Sequence, residues 1–256
     1  MKTLITGHEG FIGSHFLKNF YEEFPESEVV VADLKDGKDF ADIKGQHFDV
    51  VVHFAANVSV IDSLSNPVDV MKNNAFKIAD LINNNTIERF ALISTVGVYP
   101  ESENVTEDMS DWRNCKSTYS LSKYLAEFAL AQALDDDHIK DFSIFRLSNV
   151  IGEGVRDNWS VIEHFENDNP IVLYGGTQYR DFINVDVVVE AIIYAIKNYI
   201  WDIFTLASGT QESIFELAQR YALKRGVPLT TAPARGDEII KQSFDISKAK
   251  KMGLIK

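Results

Sequence analysis

The chain has 256 residues, 45% of them hydrophobic and 25% charged, and 38 acidic against 25 basic side chains give it a formal charge of −13. That size and composition support a full core and exclude a disordered tail, a collagen-like rod and a small disulfide scaffold. The basic residues form no long run of the kind nucleic acid requires, no apolar stretch approaches the roughly 20 residues of a membrane helix, and the single Cys115 cannot close an intrachain bridge.

The first half alternates short apolar runs with helical patterns. Strands are expected at Lys2–Thr6, Glu28–Asp33, Asp49–Ala55, Phe90–Ser94 and Phe142–Leu147, with helices at Phe11–Glu23, Pro67–Asn84 and Tyr119–Leu134. Val29–Val31 and Val50–Val52 are apolar on both faces, as strands are when helices cover both sides of a sheet. This alternation predicts an α/β fold with a Rossmann-type doubly wound parallel sheet. The stretch from Asp33 to Asp49 leaves room for a small strand near Asp39 and Phe40, with one or two helical turns. Beyond Asn149, glycines at 152, 154, 175 and 176 punctuate loops. A helix is expected at Asp186–Tyr199, a strand at Ile203–Leu206, a helix from about Ser213 to Arg225, and a short last helix near Ser247–Met252. The chain enters its first strand directly, without a signal peptide, so a cytoplasmic protein with no membrane or nucleic-acid partner is expected.

Thr6-Gly7-His8-Glu9-Gly10-Phe11-Ile12-Gly13 joins the first strand to the first helix. Glycines placed this way let the turn close, let backbone N–H groups approach a pyrophosphate, and let the helix pack on the sheet. The helix N-terminus then faces the phosphate charge. Asp33 ends the second strand twenty residues beyond Gly13. A carboxylate there accepts hydrogen bonds from the adenosine ribose and repels a 2′-phosphate, which favours NAD over NADP.

Tyr119 and Lys123 stand four apart on one face of a helix. With nine tyrosines in the chain, roughly 0.6 such pairs arise by chance. Only one occurs, and it follows a dinucleotide fold. An ammonium and an oxidised nicotinamide both lower the phenol's pKa, so the phenolate can take a hydroxyl proton while hydride leaves the same carbon. Thr95, ending the strand before it, is placed to orient that hydroxyl, although a β-branched residue also suits a strand for its own sake. His53 reads as a packed core residue. The six histidines show no metal spacing such as His-x-x-x-His, so no metal is expected.

Together these motifs resemble those of the NAD-dependent epimerase/dehydratase family, extended short-chain dehydrogenases that act on nucleotide-sugars. The resemblance continues through His53-Phe54-Ala55-Ala56, Ser94-Thr95-Val96-Gly97-Val98-Tyr99-Pro100, Arg146-Leu147-Ser148-Asn149-Val150-Ile151-Gly152 and Arg180-Asp181-Phe182-Ile183-Asn184-Val185-Asp186. It implies cofactor contacts at Gly7, Gly10, Phe11, Ile12, Gly13, Asp33, Asp39, Phe40, Phe54, Ala55, Ala56, Asn74, Ser94, Tyr119 and Lys123. It implies Thr95, Tyr119 and Lys123 as catalytic groups, and Val60, Ser63, Thr95, Asn149, Arg180 and Arg235 as substrate contacts. Arg180 and Arg235 are isolated cations suited to a diphosphate.

The implied organisation is an NAD-binding domain from 1–149 and 183–207 with a smaller, abbreviated substrate lobe from 150–182 and 208–256. The family's 4,6-dehydratases carry Asp-Glu after the catalytic threonine, where this chain has Val96 and Gly97. Epimerisation of a nucleotide-sugar, at sugar C4, is therefore the expected reaction. The alternatives are a 4-reductase, dehydrogenase or dehydratase of the same family, and a catalytically silent sensor of NAD or nucleotide-sugar. A homodimer is implied through the helices at Pro67–Asn84 and Tyr119–Leu134, which carry Ile78, Leu81, Ile82, Leu125, Phe128 and Leu130.

Overall fold

Runs of β-branched and aromatic residues become strands that lie side by side. The computed structural model describes residues 1–59, 63, 65–154, 161–234 and 239–256. Strands β1 (Lys2–Thr6), β2 (Glu28–Ala32), β3 (His47–His53), β4 (Thr86–Thr95), β5 (Asp141–Leu147) and β10 (Ile203–Leu206) form a six-stranded sheet in the order β10-β5-β4-β3-β1-β2. Every neighbouring pair in it is parallel.

The strand period of two divides the apolar side chains between the faces. Ile5, Val50, Val52 and Phe145 pack with α1 (Phe11–Glu23) and α6 (Val185–Lys197). Leu4, Val51, Phe90 and Leu92 pack with α3 (Lys77–Asn84) and α4 (Thr118–Asp135), through Ile78, Leu81, Ala126 and Leu130, and α2 (Pro67–Met71) packs on α4. Both faces are covered, as the doubly apolar runs require. β4 begins four residues before the expected Phe90, because Thr86, Ile87 and Arg89 pair with His47, Phe48 and Val50 of β3.

Two expectations are corrected. No strand forms at Asp39–Phe40; the chain instead makes 3₁₀ turns at Leu34–Asp36 and Phe40–Asp42. Asp33 and Asp39 cap these turns, accepting from the N–H groups of Lys35 and Ala41, and such local bonds outcompete a ladder. Thr95 therefore ends the fourth strand of the chain, not a fifth. The helix expected at Pro67–Asn84 is interrupted, since a π-helical turn at Lys72–Phe76 separates α2 from α3.

A smaller layer lies beyond the sheet. It contains the parallel pairs of β6 (Asn149–Ile151) with β9 (Phe182–Asn184) and of β7 (Ile171–Tyr174) with β12 (Leu229–Ala232). β8 (Tyr179–Arg180) runs antiparallel to β11 (Glu212–Ser213). Phe165 of α5 (Val161–Asn167) and Leu217 and Ala218 of α7 (Ile214–Arg225) close a separate core over Ile171 and Leu173. A short helix, α8 (Ser247–Lys251), returns to the main core through Ala249.

Candidate functional site

In a parallel sheet the strands all end on one edge, and ligands bind where neighbouring connections diverge to opposite faces. β1 lies between β2 and β3 at that point. The loop after β1 is shaped by contacts that leave no room for side chains. Gly7 has φ +71°, and a Cβ on it would lie 2.4 Å from the backbone nitrogen of Ala55; one on Gly13 would lie 2.1 Å from the Gly7 carbonyl oxygen. Helix α1 starts after Gly10 with no side-chain cap and no acidic residue in its first turn, leaving its N–H groups for an anion.

Asp33 stands beside this loop, accepting from the N–H of Glu9 at 3.0 Å and of Lys35 at 2.9 Å. His8 links the loop to the turn after β2, with Nε2 3.0 Å from Asp36 Oδ2. Phe54 packs on Phe16 at 4.9 Å between ring centres, while Ala55 and Ala56 leave the end of β3 low and half-buried. Asp39 is held by Lys77. Burial pushes its carboxyl up, but hydrogen bonds from Lys77 and the Ala41 N–H leave it below the usual range. Phe40 is buried edge-on against His53, 4.8 Å away. His53 itself is neutral: burial first, and the nearby Lys123 charge second, take it to about 3. The glycine cradle, the Asp33 carboxylate and the open helix end all fit a dinucleotide.

Ser117 caps α4 by accepting from the Ser120 N–H at 3.1 Å, which fixes where the helix begins. Tyr119 then lies half-buried in its first turn, and Lys123 is only 2% exposed. Burial pushes the Tyr119 phenol up to about 12. Burial likewise draws the Lys123 ammonium down to about 8, against the opposing charge of Glu127. Thr95 ends β4 half-buried, its oxygen accepting from the Gly97 N–H at 3.1 Å. A Cβ on Gly97 would lie 3.4 Å from Thr95 Oγ1 and 3.0 Å from Ser120 Oγ. Gly97 thus lies beside both the threonine hydroxyl and Ser120, the residue after Tyr119 on α4.

Asn74, in the π-helical turn, is fully buried and holds the segment after β3: its Oδ1 accepts from the Asn57 N–H at 2.7 Å, and its Nδ2 donates to Asn57 O and Ser122 Oγ. Its amide serves neighbouring chain, so it shapes the site from beneath. The Ser94 hydroxyl is likewise committed, donating to Glu127; a cofactor contact at Ser94 is left to its backbone.

Of the residues expected to meet substrate, Asn149 is exposed, with Nδ2 donating to Asp181 O at 3.0 Å. The Asp181 carboxylate is buried and accepts from the Ser148 and Ser208 hydroxyls and from the N–H groups of Ser208 and Gly209. Arg180 donates to Ile239 O at 2.6 Å and Tyr179 O at 2.9 Å. Ser63 is buried, and its N–H donates to Ser59 O. Val60 and Arg235 lie outside the described residues.

Sequence reasoning missed Glu127, which is 5% exposed and paired with Arg146, itself 2% exposed. The sequence signal was partial: an arginine inside the apolar run Phe142–Leu147 demands a partner, but nothing there points to Glu127.

Fold and site together define a dinucleotide-binding protein of the doubly wound class. The pattern of the NAD dependent epimerase/dehydratase family matches residues 3–202, and the chain belongs to that family. NAD is accordingly its cofactor. A Methanocaldococcus jannaschii protein assigned as a UDP-glucose 4-epimerase is 29% identical, over 98% of this chain and 92% of its own. The mouse dTDP-D-glucose 4,6-dehydratase is 27% identical over 85% of this chain and 71% of its own. Among solved structures, a variant of Bacillus cereus UDP-glucuronic acid 4-epimerase, bound to a fluorinated UDP-sugar and NAD, superposes with a TM-score of 0.84 at 25% identity, covering 98% of this chain and 92% of that one. These relatives are enzymes of nucleotide-sugar chemistry, and they include more than one reaction type.

Proposed function

We propose that the protein is an NAD-dependent nucleotide-sugar 4-epimerase. The observation that supports this reading is that Thr95 ends β4, which packs on α4, the helix that carries Tyr119 and Lys123 in its first two turns. NAD, when bound, supplies the means to take hydride from sugar C4 and to return it. The chain's own residues do the rest. Tyr119 removes the C4 hydroxyl proton and later restores it, which needs the phenol lowered from about 12; the Lys123 ammonium supplies positive charge for this. The Thr95 hydroxyl orients the sugar oxygen. Lys123 and Asp33 hold ribose hydroxyls, and the first turn of α1 faces the pyrophosphate.

Asn149, Arg180 and Arg235 hold the substrate diphosphate, so that the nucleotide stays while the 4-keto sugar turns over and receives hydride on its other face. Val60 and Ser63 contact the sugar. Dehydration is disfavoured because no acid stands at Val96 or Gly97 to drive elimination.

The test is proton NMR of the purified protein with UDP-, dTDP- and GDP-sugars and catalytic NAD⁺. A stereoisomer that forms without net NADH is expected, at a rate lowered about 10²–10⁴-fold in Tyr119→Phe. A panel left unchanged while NAD still binds overturns the reading; consumption of NADH with a 4-keto sugar would replace it with a reductase.

The working unit is a cytoplasmic homodimer formed through α2, α3 and α4. Of the residues expected at that face, Ile78, Leu81, Ile82 and Leu130 are buried against the sheet, whereas Phe128 is 57% exposed and joined by Val68 and Phe76. Light scattering would give a dimer mass; a monomer at working concentration refutes it.

A further inference from the structure

Charge is costly inside a fold unless it is paired. Glu127 and Arg146 are buried charges that the reaction just described does not use. They meet between α4, β4 and β5. Arg146 Nη2 donates to Glu127 Oε2 at 2.7 Å, and Nε reaches both carboxylate oxygens at 3.1 and 3.2 Å. The Ser94 hydroxyl donates to the same carboxylate. On its other side Arg146 Nη1 donates to Glu107 O at 2.7 Å and Tyr99 Oη at 3.2 Å, its guanidinium lying 5.0 Å from the Tyr99 ring centre. Tyr99 in turn meets Thr205 of β10 at 2.7 Å.

Such a pair is a weak source of stability, because packed apolar residues of similar volume do as well. Its location is informative. Ser94 directly precedes Thr95, and Glu127 lies one helical turn beyond Lys123 and two beyond Tyr119. We propose that Glu127, clamped by Arg146 and Ser94, is a positioning residue: it fixes the end of β4 against α4, so that Thr95 meets Tyr119, and it sets a carboxylate one turn beyond the Lys123 ammonium. The inference rests on the reading of Thr95, Tyr119 and Lys123 as the catalytic groups.

The titratable groups around Lys123 can be named. On its own helix are Tyr119 and Glu127. His53 of β3 faces it and is neutral. Arg146 of β5 and Tyr99 after β4 lie beyond Glu127. Cys115, before α4, has its thiol pushed up to about 11, by burial and then by Glu127. Removing the carboxylate withdraws support from the ammonium, so the Tyr119–Lys123 pair sheds its protons at lower pH.

The test uses the NAD-loaded protein. In Glu127→Gln, kcat is expected to fall about 10–100-fold with KM little changed, and the pH–kcat profile to move down by about half a unit or more. Glu127→Asp recovers part of both. The double variant Glu127→Leu/Arg146→Met removes both charges and recovers thermal stability, yet kcat remains low. Recovery of kcat together with stability in the double variant, or a Glu127→Gln profile that does not move, would overturn the proposal. An ultraviolet titration of the Tyr119 phenol, with Tyr119→Phe as blank, keeps the two readings apart. If no nucleotide-sugar reacts, the epimerase reading fails, while a downward shift of this titration in Glu127→Gln still upholds the positioning role and its absence refutes it.

Discussion

Around Gly7 and Gly13 the shape is set by backbone, whereas around Asn149, Arg180 and Asp181 it is set by polar side chains. In the first region shape comes from what is missing: a Cβ on Gly13 or Gly7 would strike main-chain atoms. In the second, shape comes from what is present. The Asp181 carboxylate gathers donors from Ser148, Ser208 and Gly209, and Arg180 ties β8 to Ile239. Backbone cradles tolerate almost no substitution, because nothing soft can yield. Side-chain hubs fail by degrees, since each lost bond leaves the others in place.

Two substitutions break this comparison in order of size. Gly13→Ala drives a methyl into the Gly7 carbonyl, which lies 2.1 Å from the Cβ position; NAD affinity is expected to fall at least ~100-fold, about 2.7 kcal/mol, by calorimetric titration. Retention of NAD with near-native affinity would show that the loop can shift, and that the cradle is not rigid.

Asp181→Ala is expected to cost about 2–3 kcal/mol of stability in denaturant unfolding, because buried donors lose their acceptor. Its effect on ligands separates the regions. NAD affinity should stay within about threefold of the parent, less than 1 kcal/mol, while KM for the nucleotide-sugar rises. Equal losses of both would mean that the two regions act as one unit.

The same contrast explains what could be read from the residues alone. Glycine spacing, Asp33 after the second strand, and the Tyr119–Lys123 interval are each set by local geometry, so they stand in the sequence at fixed distances. The six parallel strands and most of the helices were legible for a similar reason, since apolar period and run length are local quantities. Helical turns were foreseen between Asp33 and Asp49, but the strand expected at Asp39 and Phe40 was misread, because a capping aspartate and a short strand compete within three residues. Glu127 and Arg146 were less legible still. A glutamate four residues after a lysine ordinarily reads as an exposed helical pair, and its true partner lies nineteen positions away on another strand. Ser94 shows the same limit: its place in the strand was foreseeable, but the carboxylate that claims its hydroxyl was not.

The π-helical turn at Lys72–Phe76 has a geometric consequence of its own. Val70, Asn74, Ile78 and Ile82 are all buried and recur every fourth residue. On a regular α-helix that interval creeps around the cylinder by about 40° at each step, so that a fourth member would stand a third of a revolution from the first. The wider turn winds some of that creep back, keeping the four on a straighter line. One end of the line can therefore sink Ile78 and Ile82 into the core while the other aims an amide at Asn57 and Ser122. A slackened coil midway along acts as a phase corrector, letting a simple four-residue rhythm serve two neighbours at once.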